Sequence, residues 1–328
     1  MATTAESSFV TGTVKYLAAS AESSLHANGK VLTFRDPDGN SDGSRGVDLQ
    51  PHAIRVHDAR ACAARDARTL KHNGFELLHS PVVSRGHDFL DHRWVVEHYY
   101  DECAALVEQA TGAWGVYAFD HNVRSAAGKN TQTRITGGQH VQGPAQVVHG
   151  DYTLTSAPRR LRDLGKPATT NDTYRHRLRP DEALLPPEAL ERALSADGRF
   201  AIINVWRNVA PEPVATYPMA LCDAQSVRPE DLVVFEIHYR DRIGENYFAK
   251  AAAGHEWFYY PGMSDEEVLL LKQWDSGGAM AQTEGESGDA LEPDSPCTFS
   301  FHTAFDDPDS PSDAPERWST EVRCLVIY

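Results

Sequence analysis

The last twelve residues, RWSTEVRCLVIY (317–328), constrain the fold more than any other stretch of this chain. Arg317, Ser319, Glu321 and Arg323 fall at strict two-residue spacing. On a strand, residues i and i+2 point to the same side, so all four share one face. Burying three charges and a hydroxyl against a dry apolar core is costly. The pattern makes sense where that face lines a polar interior. An arginine there can hold a carboxylate through two parallel hydrogen bonds. The structural alternative is an internal ion pair, Glu321 with an arginine of a neighbouring strand.

Other runs predict more strands in the same half: FAIINVWRNV (200–209), LVVFEIHYR (232–240), HEWFYYPGM (255–263) and CTFSFHTAF (297–305). Helices are expected earlier. Residues 91–110 carry apolar side chains at helical spacing and stop at Gly112. Residues 115–124, GVYAFDHNVR, read as a strand leaving that helix. SAPRRLRDLG (156–165) suits a short helix capped by Ser156, and PPEALERALSADG (186–198) a second opened by proline. Ser264 with Glu267 forms a capping-box pattern, which predicts a helix over 264–276. Residues 36–47 and 306–316 are turn-rich, and 283–296 form an acidic loop. Strands that follow early helices favour a mainly β protein with flanking helices over a βαβ repeat.

VVHGDYT (147–153) supplies a candidate metal site. A mononuclear non-heme iron centre takes two histidines and one carboxylate and leaves its other face open. H-x-D offers two of those ligands from one strand end. Of fifteen histidines, only His149 has an acid two residues later, Asp151. With 47 acids, chance alone gives about two such matches, so the motif by itself is also compatible with a surface turn. His302 sits in the apolar run FSFHTAF and is either a core histidine or a third ligand from a neighbouring strand.

Taken together, these segments resemble the Fe(II)- and 2-oxoglutarate-dependent oxygenases related to gibberellin desaturase-like proteins and the cephamycin 7-alpha-methoxylase component. The matching stretches are DARTLKHNGFELLHSP (66–81), TGAWGVYAFDHNVR (111–124), VVHGDYT, INVWRNV (203–209), YPMALCDAQSV (217–227), HEWFYYPGMSDEEVLLLKQWDS (255–276), FHTAF (301–305) and RWSTEVRCLVIY. They run in the family's order over most of residues 60–328. The resemblance implies a double-stranded β-helix, or cupin-like jelly roll, with iron on His149, Asp151 and His302. It implies Fe(II), 2-oxoglutarate and O2 as cofactors. The far carboxylate of 2-oxoglutarate is expected on Arg323. Arg317 stands second, because Arg317-Trp318-Ser319 matches an R-x-S pattern that serves this role in some relatives. One domain is expected over 1–328, with 1–60 as an extension packed on it and 140–328 as the jelly-roll core.

The expected activity is C–H activation of a small metabolite in secondary metabolism: hydroxylation, desaturation or oxidative cyclisation. Closure of an amino acid to an aziridine is one specific case. Arg207, with Asn204 and Trp206 beside it, is the candidate for a substrate carboxylate; the alternative is an arginine stacked on Trp206. Asp223 or Glu236 would take an amine. Asp120, His121 and Arg124 are expected to form a structural network. A net charge of −16 argues against nucleic-acid and anionic-membrane partners. No signal peptide or membrane-length apolar run is found, and five scattered cysteines suit a reducing cytoplasm. Three rivals stay open at this point: a 2-oxoglutarate-independent iron oxidase, a metal-dependent hydrolase on the same ligands, and a non-catalytic jelly roll that binds a small molecule. No oligomeric state is assigned.

Overall fold

The computed structural model describes residues 8–35, 41–62, 68–138, 140–240, 242–291 and 294–328. Part of the turn-rich loop expected at 36–47, residues 36–40, lies outside the described residues, as do 66–67 and 292–293.

Fifteen strands are present among the described residues: β1 (Phe9–Leu17), β2 (Leu32–Arg35), β3 (Ser41–Arg45), β4 (Leu49–Asp58), β5 (Phe75–His79), β6 (Gly115–Arg124), β7 (His149–Gly150), β8 (Phe200–Asn208), β9 (Met219–Cys222), β10 (Leu232–His238), β11 (Ile243–Ala249), β12 (Trp257–Tyr259), β13 (Glu267–Asp275), β14 (His302–Ala304) and β15 (Ser319–Ile327). Ten form one sheet in the order β1-β4-β12-β9-β14-β7-β11-β10-β2-β3. Five form a second, β5-β13-β8-β15-β6. This is the mainly β, jelly-roll architecture that the strand-rich second half predicts. Strands from residues 9–58 belong to the larger sheet, and β5 and β6 to the smaller, so both sheets draw on residues well before 140.

The larger sheet also curls onto itself. β1 pairs with β4 along one edge. Along its other edge it meets the chain just before β7: Lys15 N donates to Gln146 O at 3.0 Å, and Val148 N to Lys15 O at 2.9 Å. The backbone entering His149 is therefore tied on both sides, by β1 before it and by β11 and β14 alongside it.

The helices are α1 (His92–Trp94), α2 (Tyr100–Thr111), α3 (Ala126–Asn130), α4 (Ser156–Leu164), α5 (Pro187–Leu194) and α6 (Ala279–Gln282). A π-helical turn, Val95–Tyr99, joins α1 to α2, so the helix expected over 91–110 is continuous but widened by one turn. Gly112 ends it with φ 65°. α4 begins where expected, but its cap is Thr153, not Ser156. The Thr153 hydroxyl accepts from Ser156 N at 3.0 Å and Thr155 N at 3.2 Å.

The segment 264–276 is not a helix. It forms β13, hydrogen-bonded between β5 and β8. Val268 through Leu271 are buried on both faces of a central strand, which suits a continuous apolar run. The Ser264–Glu267 contact survives as a turn, with Ser264 N donating to Glu267 Oε2 at 3.0 Å. Local capping chemistry has been overridden by strand pairing and burial.

Candidate iron centre

β7 and β14 are neighbours, and their register pairs His302 directly with His149. Their rings lie 4.2 Å apart, centroid to centroid. Asp151 follows at the end of β7, and its Oδ1 is 3.6 Å from His149 Nε2. One ligand atom from each of His149, Asp151 and His302 lies within 4.8 Å of the other two. They are the one such His/Cys/Asp/Glu group found among the described residues.

Each of the three is held. His149 Nδ1 contacts Val147 O at 2.8 Å; the carbonyl can only accept, so Nδ1 carries the proton and Nε2 is left free to ligate. Asp151 N donates to Gln273 Oε1 at 3.0 Å. Thr153, which caps α4, fixes the chain two residues further on. Gly150 between the ligands is a packing requirement: a Cβ there would meet the Phe299 ring at 3.0–3.1 Å. Burial, and after it the neighbouring charges of His149, Arg124 and Arg323, push His302 well below its usual value, so it is neutral. Burial alone would raise the Asp151 carboxyl. Arg323, then His302, His149 and the Asn204 amide override it and hold the group below the usual carboxylate range.

The polar face predicted for the last strand exists. Arg323 pairs with Asn204 on β8 and Asp120 on β6; Glu321 pairs with Trp206 and Asn122; Ser319 lies opposite Arg124. All these side chains turn toward the triad. Arg323 spends its fork on three carboxylates: Nε to Asp151 Oδ2 (3.2 Å), NH1 to Asp120 Oδ2 (2.9 Å) and NH2 to Glu321 Oε1 (3.1 Å). Arg317 is different. It is 3% exposed, lies over the Trp206 ring, and donates from NH1 to Tyr217 O. Its Nε is buried without a partner, as is Ser319 Oγ. Burial, and next to it the Arg124 charge, push the Arg317 guanidinium down to about 9.

The same interior leaves Trp206 Nε1, Asn122 Oδ1, Asn204 Oδ1 and Gln273 Nε2 unpaired. Buried polar atoms are nearly always paired in folded proteins, so a cluster of orphans around one centre fits a polar ligand. The charges agree. Arg124, Arg317 and Arg323 balance Asp120, Asp151 and Glu321, and a dication with a dicarboxylate would keep the balance.

Three expectations are corrected. Arg207 lies on the opposite face of β8 from Asn204 and Trp206. It is buried against the helical layer and donates to Tyr99 Oη (2.9 Å), Asp265 O (2.6 Å) and Ser80 O (2.5 Å). A substrate carboxylate cannot reach it. Asp223 binds Arg68 and Asn73, and Glu236 binds His238 and Gly29 N. Neither carboxylate is free to take a substrate amine. Asp120 and Arg124 do not share a network with His121: strand alternation sends the first two inward and turns His121 out to Tyr100 Oη at 2.8 Å. Gln273 and Asn122 were missed. The misread β13 hid the first, and nothing local marks the second.

The fold and this histidine–carboxylate–histidine group define a mononuclear non-heme iron enzyme. The comparisons with known proteins agree. Residues 14–327 match a family described as an oxidoreductase/YMDC permease-like domain. No helix of the described residues is long and apolar enough to cross a membrane. The Fe(II)/2-oxoglutarate-dependent dioxygenase nvfI of Aspergillus novofumigatus is 30% identical over 282 residues, 84% of each chain. An uncharacterised protein from the dcmA 3′ region of Methylophilus leisingeri is 45% identical over 196 residues, 60% of this chain and 89% of that one. The solved structure of the iron and alpha-ketoglutarate-dependent endoperoxidase NvfI superposes with a TM-score of 0.69 at 25% identity, covering 97% of both chains. The chain belongs to the Fe(II)/2-oxoglutarate-dependent dioxygenases, and its cofactors are Fe(II), 2-oxoglutarate and O2.

Proposed function

We propose that this protein oxidises an unactivated C–H bond of a small metabolite in a secondary-metabolic pathway of the cytoplasm. His149, Asp151 and His302 hold the iron. The observation that carries this reading is their convergence from two adjacent strands into one group of ligand atoms. With 2-oxoglutarate and O2, bound Fe(II) supplies an oxidant able to remove a hydrogen atom, with succinate and carbon dioxide as by-products.

The rest of the work belongs to the chain. His149 and His302 present ring nitrogens and Asp151 its carboxylate. Arg317 takes the far carboxylate of 2-oxoglutarate, with the Ser319 hydroxyl beside it. This reverses the order expected from sequence. Among the described residues Arg317 is buried without a carboxylate partner, whereas all three donor groups of Arg323 are already engaged. Asn204 and Trp206 stay in the site as polar lining, and Arg207 leaves it. The larger sheet joins β1 to β14 and the smaller joins β5 to β15, which supports one oxygenase unit over the described strands.

The test is anaerobic. Fe(II) and then 2-oxoglutarate are added to metal-free protein, and the weak visible charge-transfer band of chelated 2-oxoglutarate is recorded. His302→Ala should abolish the band, and Arg317→Gln should demand far more 2-oxoglutarate to produce it. Stoichiometric Fe(II) binding with no band in the unmodified protein would point instead to a hydrolase or a 2-oxoglutarate-independent oxidase. No metal binding at all would sink the assignment.

A further inference from the structure

We propose that Arg323 is a positioning residue for the metal carboxylate. By holding Oδ2 of Asp151, it presents Oδ1 alone toward His149 and His302. This rests on the reading that those three residues bind the iron.

The geometry is specific. Asp151 Oδ2 accepts from Arg323 Nε at 3.2 Å and from Asn204 Nδ2 at 3.0 Å. A carboxylate oxygen has about two lone-pair sites, so Oδ2 is saturated. Oδ1 is the oxygen near His149 Nε2, at 3.6 Å. Rotation of the carboxylate to bring both oxygens to a metal would break two hydrogen bonds inside a buried site. Arg323 cannot follow such a rotation. Its NH1 is tied to Asp120 on β6, and its NH2 to Glu321 on its own strand.

The strand is built to aim this side chain. β15 pairs with β6 in regular register up to Arg323 and slips by one residue between Arg323 and Cys324. Bulges of this kind re-aim a side chain and recur beside active sites. Against β8 the register does not slip, and Arg323 faces Asn204, the other donor to Asp151 Oδ2. Two adjacent strands thus deliver two donors to one oxygen.

The consequence concerns coordination number. Two histidine nitrogens and one carboxylate oxygen leave three positions on a six-coordinate metal. 2-Oxoglutarate takes two, and one remains for O2. A carboxylate free to chelate through both oxygens would compete for that last position. Arg323 keeps it open. Lysine could not substitute, because a single ammonium cannot reproduce a planar fork directed at three carboxylates.

The experiment is an anaerobic Fe(II) titration of metal-free protein at saturating 2-oxoglutarate. It compares the unmodified chain with Arg323→Gln, Arg323→Lys and Asp120→Asn, and follows the position and intensity of the charge-transfer band. Near-ultraviolet circular dichroism checks the fold of each. Loss of a partner behind a metal ligand typically weakens binding about 10- to 100-fold. We expect that loss in Arg323→Gln, with a displaced band, no rescue by lysine, and a smaller loss in Asp120→Asn. A folded Arg323→Gln variant with unchanged Fe(II) affinity and an unchanged band would overturn the proposal. So would a variant that loses 2-oxoglutarate affinity while keeping that for Fe(II), since Arg323 would then be the cosubstrate arginine. If Arg323→Gln does not fold, Asp120→Asn decides, and unchanged binding there counts against the proposal. Absence of the band in the unmodified protein would instead remove the iron-site reading beneath it.

Discussion

The Arg317 guanidinium lies 5.6 Å above the Trp206 ring, buried and with no carboxylate of the described residues bonded to it. Arg323, six residues on and within β15, is bonded to three, whereas Arg317 lies two residues before that strand begins. The contrast underlies the two roles proposed above, Arg317 for an incoming carboxylate and Arg323 for the carboxylate of Asp151.

Arg317 should therefore cost the empty protein stability and repay it on binding. An uncompensated buried charge replaced by an apolar side chain of similar length is often neutral or stabilising. Arg317→Met should melt at or above the temperature of the unmodified protein. 2-Oxoglutarate at about 100 times its dissociation constant should stabilise the unmodified protein by about 2.7 kcal/mol. The variant should show almost none of that shift. Differential scanning calorimetry with and without 2-oxoglutarate separates the two effects, and an intact shift in Arg317→Met would refute the assignment.

Arg207 should behave in the opposite way. Its removal leaves the Tyr99 hydroxyl and the Asp265 and Ser80 carbonyls without their donor. Arg207→Met should lose about 3 kcal/mol of unfolding free energy in urea. Below the melting point it should keep the Fe(II)–2-oxoglutarate band. A variant of normal stability that lost the band would return Arg207 to the site.

Gly150 sets how closely β7 can approach the Phe299 ring. Gly150→Ala forces that ring or the strand to move, and overpacking of this kind costs about 1–3 kcal/mol. Because the strand carries His149 and Asp151, the same change should weaken Fe(II) binding. Isothermal titration under anaerobic conditions would read this directly. Loss of stability with unchanged affinity would mean that the ring, not the strand, gives way.

Acid should destabilise the fold through His121. Burial lowers this histidine from 6.5 to about 4. Between those values the unfolded chain binds the proton and the folded one does not. Stability is therefore full above about pH 6.5 and falls as pH drops toward 4. At about 1.4 kcal/mol per unit the loss reaches about 3 kcal/mol. Urea melts from pH 7 to 4 should lose much of this slope in His121→Gln, and an equal slope in the variant would place its origin elsewhere.

Much of the site was legible because strand geometry is periodic. A two-residue repeat put Ser319, Glu321 and Arg323 on one face of β15, and H-x-D offered two candidate ligands at one strand end. The cost of burying charge said that this face must line something polar. The strand-rich second half announced the fold class, although 264–276 was misread, since its capping signal is local while its pairing with β5 and β8 is not.

Tertiary structure decided what depends on neighbours. Only the register of β14 against β7 sets His302 beside His149 instead of leaving it a core histidine. Only the placement of Asp120, Asp151 and Glu321 around one arginine separates the roles of Arg323 and Arg317, which the sequence presents as near equals on one strand. The spacing of Arg207 and Asn204 already puts them on opposite faces of β8; only the pairing of β8 decides that Asn204 is the one facing the triad. Sequence determines a side chain's chemistry and its parity along a strand. The partners that saturate it, or leave it free for a ligand, come from strands that are distant in the chain.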